Sequence, residues 1–272
     1  MKVEELLVFG KSHVHSDHAK ILLANLLDKN PLELLNYLDE EVEDEKVEIY
    51  KGEILALKVG KPLQYVLGYV NFYGNKIYVD ERVLIPRFET EELVDETIKR
   101  AKRYFKNKIN ILDIGTGSGA IAISLKKELN SNVYATDISK EALEVAKENA
   151  KRNDTEITFI NTNIFDGIHN SFDIVISNPP YISYNEEIEE IVKNNEPSIA
   201  LYADNDGLYF YEEILKGISS ILNDRFLIAF EIGELQFDSI KKYKDKYLKE
   251  AKIELKKDMQ GRNRMVFIQN IE

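Results

Sequence analysis

The strongest constraint on this chain is a glycine triplet at the end of an apolar run. Asn110-Ile111-Leu112-Asp113-Ile114 leads into Gly115-Thr116-Gly117-Ser118-Gly119, and a helical pattern follows. A strand that empties into closely spaced glycines and then a helix forms a turn where a ligand can approach bare backbone. The surrounding pattern agrees. Strand-like runs fall at residues 109–113, 132–137, 157–160, 173–177 and 226–231, with helical patterns between several of them; residues 139–151 carry Leu143, Ala146 and Ala150 on one side. This alternation predicts an α/β fold with a mostly parallel sheet and helices on both faces. Two last runs, 251–255 and 265–268, flank a short polar segment with Gly261 and predict a C-terminal hairpin, with one late strand antiparallel. The glycine turn then lies at the carboxyl end of the sheet, where ligands of open α/β sheets bind.

A glycine triplet alone is also compatible with a tight structural turn. Asp137 closes the next strand, eighteen residues after Gly119, where a carboxylate can accept two hydrogen bonds from ribose hydroxyls. The spacing G-x-G-x-G departs from the dinucleotide fingerprint G-x-G-x-x-G. Asp113, just before the glycines, suits a cationic ligand better than a pyrophosphate. S-adenosylmethionine meets these conditions: it has a ribose, an ammonium and a sulfonium, and no phosphate.

The fourth strand ends in Asn178-Pro179-Pro180-Tyr181. Two prolines cannot continue a ladder, so the chain leaves the sheet in a stiff, extended form. The expected strand order brings Asn178 and Tyr181 to the mouth of the glycine turn. A planar amide or amino nitrogen is a poor nucleophile because its lone pair is delocalised. The Asn178 side-chain oxygen and the Pro179 carbonyl can each accept one N–H of an –NH2 group, aiming its developing lone pair at a methyl carbon. Tyr181 offers a π face against the incipient cation and a wall for a planar substrate.

The first sixty residues read as helices. Ser16 or Asp17 caps a segment carrying Ala19, Leu22, Leu23, Leu26 and Leu27; a further helix runs through Leu34, Leu35 and Leu38; a third spans about 43–58. Residues 1–60 hold seven lysines against thirteen acids, a net charge of −6, so this unit is either a partner-docking module or a domain with a solvated acidic face. Gly74-Asn75 then separates two β runs, a hairpin. A helix follows with Glu89, Glu91 and Glu92 near its start and Arg100, Lys102 and Arg103 near its end, matching the helix dipole. The division expected is a helical domain at 1–62, a hairpin linker at 63–82 and a catalytic domain at 83–272.

Composition narrows the classes further. The formal net charge of −12 argues against a surface that grips nucleic acid throughout, and the absence of cysteine excludes disulfides and a Cys nucleophile. An acidic N-terminus and the lack of a long uncharged apolar run point to a soluble cytoplasmic protein. His13, His15 and His18 do not stack on one helical face, so no metal site is expected.

With these motifs in place, the chain resembles the HemK/PrmC family, the glutamine methyltransferases of peptide chain release factors. The resemblance covers nearly the whole chain: Pro62-Leu63-Gln64-Tyr65, Phe72-Tyr73-Gly74, Ile85-Pro86-Arg87-Phe88-Glu89-Thr90-Glu91, the glycine turn, Asn178-Pro179-Pro180-Tyr181, Glu196-Pro197, Asp206-Gly207-Leu208, Glu231-Ile232-Gly233 with Gln236, and Asp258 with Gly261 and Arg264. It implies a class I, Rossmann-like methyltransferase fold with a seven-stranded sheet. It also implies methyl transfer from S-adenosylmethionine, giving S-adenosylhomocysteine, to the glutamine amide of the Gly-Gly-Gln tip of class 1 release factors. The cofactor site it implies falls on Gly115, Thr116, Gly117, Ser118, Gly119, Asp137, Asn163, Ile164 and Asn178, with Arg87 and Glu89 nearby or else in an interdomain salt bridge. The substrate site falls on Asn178, Pro179, Pro180 and Tyr181, with Asn178, Pro179 and Tyr181 catalytic, and the helical domain helps hold the release factor. A monomer without membrane or direct nucleic-acid contact is expected. Two departures stand out: Phe88 where the family usually has Pro, and Asn163 where it usually has an Asp that accepts from the adenine amino group. The competing readings are an adenine-N6 nucleic-acid methyltransferase, because adenine presents the same –NH2, and a cofactor-binding scaffold without turnover.

Overall fold

The structure, a computed structural model, describes residues 1–271. The chain divides into two compact units: Met1–Tyr69 with Glu189–Asn195, and Val70–Ile188 with the chain from Glu196 onward.

The first unit is helical. It contains α1 (Val3–Lys11), α2 (Ser16–Leu26), α3 (Asp44–Lys58) and α4 (Leu63–Leu67). Val3, Leu6, Leu22, Leu23, Leu34, Tyr50 and Ile54 make its core. Gly10 lets α1 approach closely: a Cβ there would stand 2.1 Å from the Tyr50 hydroxyl, which itself donates to the Ala19 carbonyl at 3.1 Å. Three details differ from the sequence reading. Helix α1 had no counterpart there, although Val3, Leu6, Leu7 and Gly10 give it a buried stripe. The cap of α2 is His15, whose Nδ1 accepts from the Asp17 amide, so Ser16 is already helical. The expected helix through Leu38 is a single 3-10 turn, Leu34–Tyr37; Leu34 is buried but Leu35 is 69% exposed, so no continuous stripe exists to extend it.

The second unit opens with β1 (Tyr69–Phe72) and β2 (Asn75–Tyr78), all but Tyr69 belonging to it. Their turn residues are Tyr73 and Gly74, at φ 47° and 74°, rather than Gly74-Asn75. Two consecutive positive φ values are those of the hairpin turn whose twist matches its strands. Next come α5 (Phe88–Tyr104), β3 (Ile109–Ile114), α6 (Ala120–Glu128), β4 (Ser131–Asp137), α7 (Lys140–Arg152), β5 (Thr158–Asn161) and β6 (Phe172–Ser177). After α8 (Glu190–Asn195), which belongs to the first unit, follow α9 (Asp204–Gly207), α10 (Tyr209–Gly217), β7 (Leu222–Glu231), α11 (Phe237–Tyr247), β8 (Lys252–Lys257) and β9 (Asn263–Asn270).

The main sheet has seven strands in the order β5-β4-β3-β6-β7-β9-β8. β3 to β7 pair in parallel, and β9 runs antiparallel to both β7 and β8. This is the mostly parallel sheet with one reversed late strand that the alternation predicted. Ile111, Leu112, Ile174, Val175 and Ile176 are fully buried, as expected of central strands covered on both faces. From β3 the chain winds outward through β4 and β5, then crosses back to β6 on the other side. The carboxyl ends of β3 and β6 thus lie side by side at the switch point of the sheet, with Ile114 opposite Ser177.

Candidate active site

A cleft opens at this switch point, lined entirely by residues of the second unit. Its floor is built from four strand ends: Gly115 and Gly117 after β3, Asp137 closing β4, Asn163 and Ile164 after β5, and Asn178, Pro179 and Pro180 after β6. Pro197, Ile199 and Ala200 face them, and Arg82 and Leu84 contribute at one side.

The glycine turn is held by its neighbour. The amides of Gly115 and Thr116 both donate to the Thr136 carbonyl at 2.9 Å, and the Gly117 amide donates to Asp137 Oδ2 at 2.9 Å. Gly115 and Gly117 have φ of 70° and 53°, and apart from their chain neighbours no atom of the described residues lies within 4 Å of where their Cβ would stand. Their glycine identity therefore serves the backbone conformation and leaves open space on the cleft side. Gly119 differs: a Cβ there would meet Ala146 of α7 at 3.2 Å, so it lets two helices approach.

Each Asp137 oxygen receives one backbone amide, from Gly117 and Ser139, and keeps a lone pair for a further donor. Burial raises its pKa above the ordinary carboxylate value, against the pull of those amides. Asp113 lies beneath the turn, fully buried. Its Oδ2 accepts from Thr116 Oγ1 at 2.6 Å, while Oδ1 has no hydrogen-bond partner among the described residues. Burial, aided by the nearby Asp137, pushes its pKa up to about 7.

After β5 the chain makes a strained turn. Ile164, a β-branched residue, takes φ 52°, which costs energy and persists only when surroundings impose it. Here the fully buried Thr136 donates its hydroxyl to the Ile164 carbonyl at 2.7 Å.

At the β6 corner, Ser177 Oγ donates to the Ile114 carbonyl at 2.7 Å, tying the two strand ends together. Asn178 Nδ2 donates to Thr90 Oγ1 at 3.0 Å. Among the described residues, neither Asn178 Oδ1 nor the Pro179 carbonyl receives a hydrogen bond. Tyr181 is clamped from behind. Its carbonyl accepts from Gln236 Nε2 at 2.9 Å, and Gly207 packs so tightly on it that a Cβ would lie 2.0 Å from that oxygen. Its hydroxyl points inward to Glu231 Oε1 at 3.3 Å.

Of the residues expected at the site, Gly115, Gly117, Asp137, Asn163, Ile164, Asn178, Pro179 and Pro180 line the cleft. Thr116, Ser118, Gly119, Tyr181, Arg87 and Glu89 do not. The reasons are local. Thr116 and Ser118 are buried behind the turn, and the Tyr181 hydroxyl is engaged in the interior by Glu231. Arg87 pairs with Glu196 at 2.5 Å, whose other oxygen accepts the Ile85 amide; both partners belong to the second unit, so the pair is not an interdomain salt bridge. Three residues carried no role in the sequence reading: Thr90, Thr136 and Glu231. Thr90 and Glu231 stand in the motifs that carry the family resemblance, and a carboxylate closing the apolar run 226–231 was a further signal, since a charge at the end of a buried strand needs a reason.

The parallel sheet, its antiparallel late strand and a ligand cleft at the switch point define a class I methyltransferase fold. Residues 90–196 match the "Methyltransferase small domain" family model and residues 12–68 the "PrmC N-terminal domain" model. A methyltransferase from Pyrococcus furiosus superposes with a TM-score of 0.55 at 22% identity, covering 80% of this chain and 96% of that one. The release factor glutamine methyltransferase of Bacillus cereus is 38% identical over 98% of this chain and 99% of its own length. That of Lactococcus lactis is 40% identical over 90% of each. The chain belongs to the release factor glutamine methyltransferase family.

Proposed function

We propose that this chain transfers the methyl group of S-adenosylmethionine to the side-chain amide nitrogen of the glutamine in the Gly-Gly-Gln motif of class 1 release factors. The observation that carries the reading is the cleft itself: the glycine turn, the Asp137 carboxylate and the Asn178-Pro179 acceptors line one continuous space. The residues fit the cofactor. The open backbone at Gly115 and Gly117 admits a ligand edge, and Asp137 keeps acceptor capacity for a ribose diol. Asn163 can still accept an adenine N–H through its side-chain oxygen, although it lacks the charge of an Asp, which predicts weaker cofactor binding without loss of activity. The cofactor, when bound, supplies an electrophilic methyl group on a cationic sulfur.

Two acceptors without protein donors, Asn178 Oδ1 and the Pro179 carbonyl, hold the two N–H bonds of the incoming –NH2. The consecutive prolines keep them rigid, so the orienting cost is met before the substrate arrives. No strong base is needed before attack, because the electrophile is already cationic; the proton leaves to water afterwards. The helical unit, rich in acids between residues 39 and 48, is the part proposed to help hold the release factor.

The test is to incubate the protein with radiolabelled S-adenosylmethionine and either purified unmethylated release factor or unmethylated DNA. The reading expects label in the release factor, on the Gly-Gly-Gln glutamine. Label in DNA alone would make the chain an adenine methyltransferase, and label in neither would make it a non-catalytic scaffold.

A further inference from the structure

We propose that Thr90 and Glu231 are positioning residues: together they hold the Asn178 amide in the single orientation that turns its oxygen toward the substrate. The inference rests on the catalytic reading of Asn178 above and deepens it.

A side-chain amide can be placed two ways, related by a flip that exchanges oxygen and nitrogen. For Asn178 the choice is decisive, because only Oδ1 can accept an N–H from a substrate amide. Three elements converge to make it. Thr90 lies in the first turn of α5, Glu231 closes β7 and Asn178 follows β6, whose last residue Ser177 pairs with Phe230. Thr90 is 4% exposed and Glu231 is 1% exposed.

The proton inventory leaves one solution. Thr90 Oγ1 lies 2.6 Å from Glu231 Oε2, a short contact in which an ionised carboxylate can only accept. The single hydroxyl proton of Thr90 is therefore directed at Glu231, and toward Asn178 the hydroxyl offers only lone pairs. The atom of Asn178 that meets it at 3.0 Å must be the –NH2. A flipped Asn178 would press its oxygen against another acceptor at the same distance. Its other neighbours favour the ionised, acceptor-only form of the carboxylate. Its second oxygen takes the Tyr181 hydroxyl, and the Arg264 guanidinium lies within 3.4 Å of that hydroxyl while donating to the Ile232 carbonyl at 3.2 Å. Asp258 in the β8–β9 turn holds Arg264 from the far side at 3.4 Å. Burial raises the Glu231 carboxyl above its ordinary value, while Thr90, Arg264 and Tyr181 pull it back.

The decisive experiment compares wild type, Thr90→Val, Thr90→Ser, Asn178→Ala and the Thr90→Val/Asn178→Ala double variant. The readouts are single-turnover methyl transfer to release factor with tritiated S-adenosylmethionine, KM for the release factor, cofactor Kd by calorimetry, and Tm. Thr90→Val, which keeps the shape and deletes the hydroxyl, is expected to lower the transfer rate about tenfold or more with cofactor Kd unchanged. Thr90→Ser restores the rate, and in the Asn178→Ala background Thr90→Val has no further effect. A full rate in Thr90→Val, or the same fractional loss with and without Asn178, overturns the inference. Should Thr90→Val lower Tm sharply, Glu231→Gln carries the test. Its amide can donate to Thr90 and release the Asn178 orientation, so the same rate loss at constant cofactor Kd is expected, and an unchanged rate refutes the relay. If Asn178→Ala itself turns over normally, it is the catalytic reading that fails, not this relay.

Discussion

On the proposed function, the residues at the four strand ends divide their work between holding the cofactor and holding the acceptor nitrogen, and kinetics can separate the two. Asn178→Ala is expected to leave S-adenosylmethionine binding nearly intact while lowering kcat by about a hundredfold or more, the scale of losing an orienting acceptor. Asp137→Asn removes the charge proposed to face the ribose yet keeps an acceptor, and should raise the cofactor KM by about tenfold with a much smaller change in kcat. Equal loss of kcat in both variants contradicts this division. Asp113 supports a pH prediction. Its folded pKa of about 7 lies above the unfolded value near 4, so the folded state binds the extra proton between them. Stability from this group is full below the lower value and declines as pH rises through the window to about 7. Thermal melts from pH 4.5 to 8 should show Asp113→Asn, isosteric with the protonated acid, gaining on wild type as pH increases; a constant difference would contradict the assignment. Much of this was readable in the sequence, because Gly115, Gly117, Asp137 and Asn178 each end a strand run and carry their chemistry locally. Thr90 and Glu231 were not, since their contact joins positions 141 apart in the chain, and nothing local shows that the Tyr181 hydroxyl turns inward.

At the level of elements, the start of α5 explains how the chain tolerates Phe88. Arg87 is the extended N-cap, at φ −97° and ψ 154°, and Phe88 is the first helical residue. That position favours proline, because its N–H is unpaired in any helix and the preceding residue is already in the region proline demands. Phe88→Pro should therefore stabilise the protein by about 0.4–1 kcal/mol through the unfolded state. A lowered Tm would show that the 55%-exposed ring makes contacts worth more than the rigidity. The turn before α10 behaves oppositely. Gly207 combines φ 79° with a Cβ position 2.0 Å from the Tyr181 carbonyl, so Gly207→Ala should destabilise by about 1–3 kcal/mol and displace the corner it supports. An alanine variant with unchanged Tm and kcat would remove that support role. Element type was legible wherever periodicity was long, as in α5 and α7. It failed at residues 34–38, where three leucines suggested a helix but Leu35 stays exposed, leaving Leu34 buried and Leu38 partly buried against the same core.

The whole molecule joins an acidic helical unit to a methyltransferase unit, and the first is expected to act through substrate affinity. Asp39, Glu40 and Glu41 are exposed in the turn before α3. Replacing them by Asn, Gln and Gln should raise the KM for release factor a few-fold, leave kcat and cofactor KM unchanged, and weaken the dependence of KM on salt. An unchanged KM would contradict a role for these acids in holding the release factor. The central claim concerns the other unit: one nitrogen of a flat –NH2 is grasped by two protein acceptors beside the cofactor. It is tested most directly by a crystal structure of the complex with S-adenosylhomocysteine and an unmethylated release factor. The account predicts the glutamine Nε2 within about 3 Å of both Asn178 Oδ1 and the Pro179 carbonyl. A glutamine amide bound elsewhere in the cleft, with those two oxygens facing water, would contradict it.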